Sequence, residues 1–356
     1  MDLYADLLPL FVREFELCNV KEGEIVAIVT VPVTRRQYAE CAAAAAAMLG
    51  AVPYEISVPM MRSAIREKPL MNLTRGNGGS VPALIDPSPL RPSLKAALFE
   101  ADFIVDMVNE TIALIPFREE LQAAGKRILT IQEPPELLER MFPTIEIKES
   151  VVAMMARFTA ADQLRMTNPA GSDISFDLTG VKGLGQYGFA DVPGKWDHWP
   201  SGQLNVWPND GTANGVVVLQ PGDVIYPFKQ FVTEEVQFTV ADGYITAIEG
   251  GLDAKLLRDY MESWNDPEVY ATAHCSIGLH PKAQTSSLPF YDKAEAVGMD
   301  GRSSLGGFLF TTGTNRHVGR MVHTHFDIVM LGASAWLDGE PVLLDGRVIE
   351  KAPVPA

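Results

Sequence analysis

The sequence predicts an α/β N-terminal domain with a mainly parallel sheet, followed by an α+β, strand-rich C-terminal domain. Three observations predict it. Up to residue 131, short apolar runs alternate with helical segments; beyond residue 164 the pattern turns to strands and turns; all six histidines fall in the second half. Alternating strands and helices build a parallel sheet covered by helices, whereas runs of strands build a separate strand-rich unit. The switch in pattern divides the chain into segments 1–158 and 159–356.

Taken in order, residues 2–18 bring Leu3, Leu7, Leu10, Phe11, Phe15 and Leu17 near helical spacing. Residues 24–31, Glu-Ile-Val-Ala-Ile-Val-Thr-Val, are a continuous apolar run typical of a buried parallel strand. A helix follows over 35–49, whose alanines 42–47 suit close packing on a sheet, and a second strand over 52–58. Residues 59–92 are rich in Pro, Gly, Asn, Arg and Met. The cluster at 75–80, Arg-Gly-Asn-Gly-Gly-Ser, has neither the Lys-Ser/Thr of a phosphate loop nor a dinucleotide spacing. It reads as a long loop, of the kind used as a lid or a subunit contact. A helix at 91–100, a strand at 102–106, a helix near 117–124 and a strand at 127–131 complete the alternation. Ligands of such sheets bind beyond the carboxyl ends of strands, which brings Asn109, Glu110 and Thr111 into consideration.

A helix over 145–163 leads into the second segment. There, strands are expected at 164–167, 172–178, 215–219, 223–226, 236–240 and 244–248, with one helix near 252–264. Residues 321–331 alternate apolar and polar side chains, as a half-buried strand does.

Bulk properties narrow the function. At 356 residues the chain can build two cores, and 47% hydrophobic with 21% charged residues is ordinary for a globular protein. A net charge of −16 argues against nucleic acid and anionic membrane surfaces as partners. The three cysteines are far apart, with no CxxC, which excludes a cysteine zinc cage and fits a reducing compartment. The N-terminal residues are acidic where a signal peptide is basic, and no apolar run has the length of a membrane span. A cytoplasmic protein with small-molecule partners, or copies of itself, is expected.

The chemistry converges on residues 321–331. Positions i and i+2 of a strand share a face, so His323, His325 and Asp327 point the same way. The outer two lie about 13 Å apart along a strand, too far for one ion with bonds of about 2 Å. His325 and Asp327 are the better pair, an imidazole and a hard carboxylate, two thirds of a 2-His-1-carboxylate set. His274 has small apolar flanks that aim it into a core or a site. His198 lies between Trp196 and Trp199, where it suits ring stacking. His280 and His317 read as turn residues.

Segments 194–202 (Gly-Lys-Trp-Asp-His-Trp-Pro-Ser-Gly), 266–270 (Asp-Pro-Glu-Val-Tyr), 299–302 (Met-Asp-Gly-Arg), 307–315 (Gly-Phe-Leu-Phe-Thr-Thr-Gly-Thr-Asn) and His325-Phe-Asp327 occur in that order. Together they resemble the 2,5-dihydroxypyridine 5,6-dioxygenase family, itself distantly related to the M29 metalloaminopeptidases. More loosely, Gln132-Glu-Pro-Pro-Glu136 extends the likeness into the first segment. The resemblance implies a mononuclear non-haem Fe(II) centre held by His274, Thr311, His325 and Asp327, with Thr311 standing where the family has serine. It implies substrate contacts from His198 and Arg302; Trp196 and Trp199, as the neighbours of His198, are the further residues expected to line a pocket for an aromatic substrate. Gln186 falls where the family has a pocket glutamate. The family's first-domain catalytic histidine has no counterpart, since none precedes His198; Glu110 or Thr111 is the substitute considered beside His198. The implied activity is extradiol-type cleavage of a hydroxylated pyridine or related aromatic acid, with both atoms of O2 incorporated. A homo-oligomer is expected, a hexamer among the forms considered. The competing reading, an M29-like hydrolase, needs bridging carboxylates for two metals, and this chain offers Gln203 and His274 instead of glutamates.

Overall fold

The computed structural model describes residues 3–32, 34–58, 92–108, 117–226, 228–293 and 296–349. The glycine cluster at 75–80 and the candidates Asn109, Glu110 and Thr111 lie outside them. The alternating N-terminal pattern forms a five-stranded parallel sheet in the order Val52–Ser57, Ile25–Thr30, Phe103–Asp106, Arg127–Ile131 and Trp196–Trp199. Val26 to Val29 are at most 1% exposed, as a strand covered on both faces must be. The helix Arg36–Met48 buries Ala42, Ala45 and Ala46 completely. Side chains this small let helix Leu3–Leu17 and the sheet approach closely.

The fifth strand comes from the second segment of the sequence. Trp196–Trp199 pairs in parallel with Arg127–Ile131, Thr130 opposite His198. It carries His198 to the carboxyl end of the sheet, where α/β folds hold ligands.

The strand-rich part consists of two antiparallel sheets. One has eight strands, with Asn214–Leu219, Asp173–Asp177, Gln163–Thr167 and Ser334–Leu337 at its centre. The other has seven, in the order Gln230–Phe231, Val224–Ile225, Arg320–Met330, Phe308–Asn315, Thr272–Gly278, Gln203–Val206 and Leu184–Gln186. The two-part fold expected from sequence is therefore present. Helix Ile145–Thr159 stops four residues short of the expected 163. The amides of Asp162 and Gln163 instead donate to the Asp338 carboxylate, and Gln163 opens a strand paired to Asp177. Among the described residues, no helix is long and apolar enough to cross a membrane.

Candidate metal centre

The seven-stranded sheet assembles the centre by register. Asp327 stands opposite Thr311 and His325 opposite Gly313, while Thr272–Gly278 flanks the same strand on its other side. Gly313 is required there: its φ is +98°, and a Cβ would lie 2.4 Å from the Thr324 carbonyl oxygen. Period-two alternation puts His325 and Asp327 on one face, and His274 faces them from two strands away.

The donor atoms converge. His274 Nε2 lies 2.9 Å from His325 Nε2, and Asp327 Oδ1 lies 3.0 Å from His325 Nε2 and 3.8 Å from His274 Nε2. With metal bonds of about 2.1 Å, donors at right angles stand about 3.0 Å apart. Asp327 Oδ1 is buried without a hydrogen-bond partner, a costly state for a carboxylate oxygen unless a cation meets it. Two imidazoles and an aspartate on one side of a cation match the facial set used by non-haem iron. The residues present therefore fit a single metal ion. Among the described residues this is the group of histidine and carboxylate donors within mutual reach of one ion.

Neighbours fix each donor. Ser276 Oγ donates to Asn205 Oδ1 at 2.6 Å, so at 3.0 Å it accepts from Nδ1–H of His274. His274 then presents a bare Nε2 to the centre, the form a metal needs. Burial, together with the charge of His325, pushes His274 down to about 3. Burial alone would raise Asp327, but His325 and the Arg302 guanidinium hold it well below the usual carboxylate range. Arg302 Nε meets Asp327 Oδ2 at 2.6 Å, which leaves Oδ1 for the centre. Thr311 is 1% exposed, and its hydroxyl accepts from the His274 amide and donates to the His274 carbonyl, both at 2.7 Å. In this geometry it holds the His274 backbone. The side chain of His323 lies outside the description.

A cavity of about 740 Å³ opens beside the centre, lined by His274, His325 and Asp327 and by His198, Trp196, Gln186 and Arg302. His198 stacks edge-on against Trp196, ring centroids 5.1 Å apart. Burial and the charges of Arg302 and Arg118 push it down to about 3, so near neutral pH it is an uncharged acceptor. Arg302 lies over the Tyr226 ring at 4.3 Å and donates to Val297 O at 2.5 Å; its Nη2 has no partner. The turn that carries it, Met299–Arg302, hangs on Glu133, whose carboxylate accepts from the amides of Val297, Gly298 and Met299 at 2.9, 2.8 and 2.6 Å. Gln186 Oε1 accepts from Gln203 and Asn205, each at 2.9 Å, and its Nε2 is left without a partner.

Trp199 corrects the expectation of a second tryptophan beside the substrate. It is three residues from Trp196 on an extended strand, so it points to the opposite face. There it is 1% exposed, packs edge-on against Phe11 and Phe142 and donates to Leu138 O. His280 is fully buried between Met141 O and the Lys282 amide, away from the centre. His317 is exposed at the cavity rim and stacks on Trp207, which in turn lies against His274. Sequence reasoning passed over Ser276, Asn205, Trp207, Arg118 and Glu133. The first two carried a signal: Ser276 is i+2 from His274, and Asn205 alternates with the apolar Leu204 and Val206. The others come together only through long-range packing.

The chain is similar to known proteins over nearly its whole length. The sequence model of the family described as NicX, 2,5-dihydroxypyridine 5,6-dioxygenase, matches residues 6–350. The 2,5-dihydroxypyridine 5,6-dioxygenase of Pseudomonas putida KT2440 is 37% identical over 351 residues, covering 97% of this chain and 96% of its own. The solved structure of 2,5-dihydroxypyridine dioxygenase from the same organism superposes with a TM-score of 0.89 at 35% identity, covering 98% of both chains. AmpT from Thermus thermophilus superposes with a TM-score of 0.60 at 14% identity over 97% of this chain and all of its own, a likeness of fold alone. With family match, near-complete coverage and a shared fold in agreement, the chain belongs to the 2,5-dihydroxypyridine 5,6-dioxygenase family.

Proposed function

We propose that the protein opens the ring of a hydroxylated pyridine with O2, in an extradiol-type reaction that places both oxygen atoms in the product. The observation that carries this reading is the convergence of His274 Nε2, His325 Nε2 and Asp327 Oδ1 on one point of a 740 Å³ cavity. Family membership supports the choice of ring. The metal these residues would hold is Fe(II), which supplies the electronic means of combining O2 with an electron-rich ring.

The rest of the work falls to the chain itself. Trp196 and His198 offer a flat apolar edge to a planar ring. His198, uncharged, accepts a hydrogen bond from a ring hydroxyl and so orients it as its proton leaves, subject to hydrogen-bond reach. The free Nη2 of Arg302 receives a ring oxyanion, the rest of its fork being fixed by Asp327 and Val297. Gln186 Nε2 offers a neutral donor, so it favours an acceptor atom on the ring. Thr311 holds the His274 backbone; to act as a fourth ligand it would have to keep one lone pair turned to the centre. The three cysteines are buried and in no disulfide, which fits a reducing, cytosolic setting, and a homo-oligomer is part of the reading, testable by light scattering.

The test is to load the protein anaerobically with Fe(II), add 2,5-dihydroxypyridine and then oxygen. The expected result is one O2 taken up per ring opened, and two labels in the product from ¹⁸O2. Failure to consume oxygen with any hydroxypyridine, or amine release from leucine anilides with zinc or cobalt, overturns it.

A further inference from the structure

The cavity wall can be followed as two arms of contacts leaving the metal centre. One runs from Asp327 to Arg302, whose charge bears on His198, then to Trp196, and ends with the Arg118 guanidinium 4.3 Å above the Trp196 ring. The other runs from His274 to Trp207, with ring centroids 5.2 Å apart, then to His317 at 4.7 Å and its neighbour Arg316. The arms meet where Arg118 and Arg316 flank Glu119. Two guanidiniums thus stand at the end of the cavity remote from the centre.

Of these cations, Arg118 is the one left without an ion pair among the described residues. Arg302 is answered by Asp327, and Arg316 by Glu119 at 3.5 Å with the glutamate largely in solvent. Among the described residues no carboxylate forms an ion pair with Arg118, and its Nε is buried with no hydrogen-bond partner. Burial and the charge of Arg316 push Arg118 down to about 9. The cavity is lined by Arg118, Lys182, Arg302 and Arg316 against Glu119 and Asp327, an excess of cations in a chain of net charge −16, as sites that draw in anions have. Space allows a substituent as well: 740 Å³ lies in the range of about 300–1,000 Å³ that holds drug-sized ligands, more than one dihydroxylated six-membered ring fills.

We propose that Arg118, backed by Arg316, is a subsite for a carboxylate carried on the substrate ring, on the side turned away from the metal centre. The near end of that substrate rests on the ring-opening reading above. With its guanidinium carbon 4.3 Å above the Trp196 ring and its Nε without a partner, Arg118 is placed to meet a carboxylate on a ring that Trp196 also borders.

The test compares two ligands that differ by the carboxylate alone, 2-hydroxypyridine and 6-hydroxynicotinate, binding to the Fe(II)-loaded protein by anaerobic calorimetry. The wild type should bind 6-hydroxynicotinate roughly 10- to 100-fold more tightly, the usual worth of charge-assisted hydrogen bonds. In Arg118→Met the two ligands should bind alike, with the affinity for 2-hydroxypyridine unchanged. In Arg118→Lys, which keeps the charge and guards against a folding failure, part of the preference should survive. Equal binding by the wild type, or a preference intact in Arg118→Met, overturns the proposal. The two readings fail separately. Carboxylate preference without oxygen uptake on 2,5-dihydroxypyridine supports the subsite and sinks ring opening; oxygen uptake without carboxylate preference does the reverse.

Discussion

Arg302 joins the proposed metal centre to the proposed substrate pocket, and removing it gives a prediction with a sign. The Arg302–Asp327 pair has an N–O separation of 2.6 Å, with side chains only 7% and 4% exposed. Deleting one partner of a buried pair leaves an uncompensated charge and costs about 3–5 kcal/mol. In metal-free protein, Arg302→Met should therefore lower the melting temperature by roughly 6–10 °C, at about 2 °C per kcal/mol for a large domain. A cation in the centre would meet the Asp327 charge from the Oδ1 side, so loading with Fe(II) should recover part of that loss. The variant should thus gain more thermal stability from the metal than the wild type does. Substrate binding should stay weakened, because the free Nη2 is gone. Anaerobic calorimetric scans of both proteins, with and without Fe(II), measure the stability terms, and a titration with 2,5-dihydroxypyridine measures the binding. A metal-free variant that melts with the wild type would refute the ion-pair argument. A deficit that the metal leaves untouched would refute the assignment of Asp327 to the centre.

Three further outcomes follow from the same geometry. Ser276→Ala removes the acceptor that keeps the proton on His274 Nδ1, and metal affinity should fall about 10- to 100-fold in a chelator competition; unchanged affinity would mean the tautomer is set by something else. His198→Gln should lower kcat about 10²- to 10⁴-fold. A histidine held at about 3 gains its charge only as pH falls through that value, so the wild-type profile should show no His198 inflection between pH 5 and 8; a step near 6.5 that vanishes in His198→Gln would contradict this. Glu133→Gln gives up one of the carboxylate oxygens that bind three amides of the Arg302 turn. It should cost roughly 1–3 kcal/mol and raise KM more than it lowers kcat, and equal changes in both would argue against a positioning part.

Much of this was legible in the residues. The alternation over 321–331 is strong because one face of that strand is buried, and it alone puts His325 and Asp327 side by side. His274 was visible through its small apolar flanks, and the parallel sheet through apolar runs such as 24–31, which only a doubly covered strand carries. The losses have physical causes too. Trp196 and Trp199 look equivalent as neighbours of His198, but three residues along a strand reverse the face, so one meets the cavity and the other the core. That this strand joins a sheet begun at residue 25 depends on pairing with Arg127–Ile131, which leaves no local signature. The helix from Ile145 ends at Thr159 rather than at 163 because Asp338, far along the chain, captures the amides of Asp162 and Gln163. Arg118 and Glu133 acquire their surroundings only in the folded chain.

The central claim is one metal ion on three named atoms. Crystals grown anaerobically with Fe(II), with diffraction recorded on either side of the iron absorption edge, test it most directly. The account predicts one anomalous peak per chain, about 2.0–2.3 Å from His274 Nε2, His325 Nε2 and Asp327 Oδ1. Two peaks sharing those ligands, or one peak bound elsewhere with the three side chains turned apart, would contradict it.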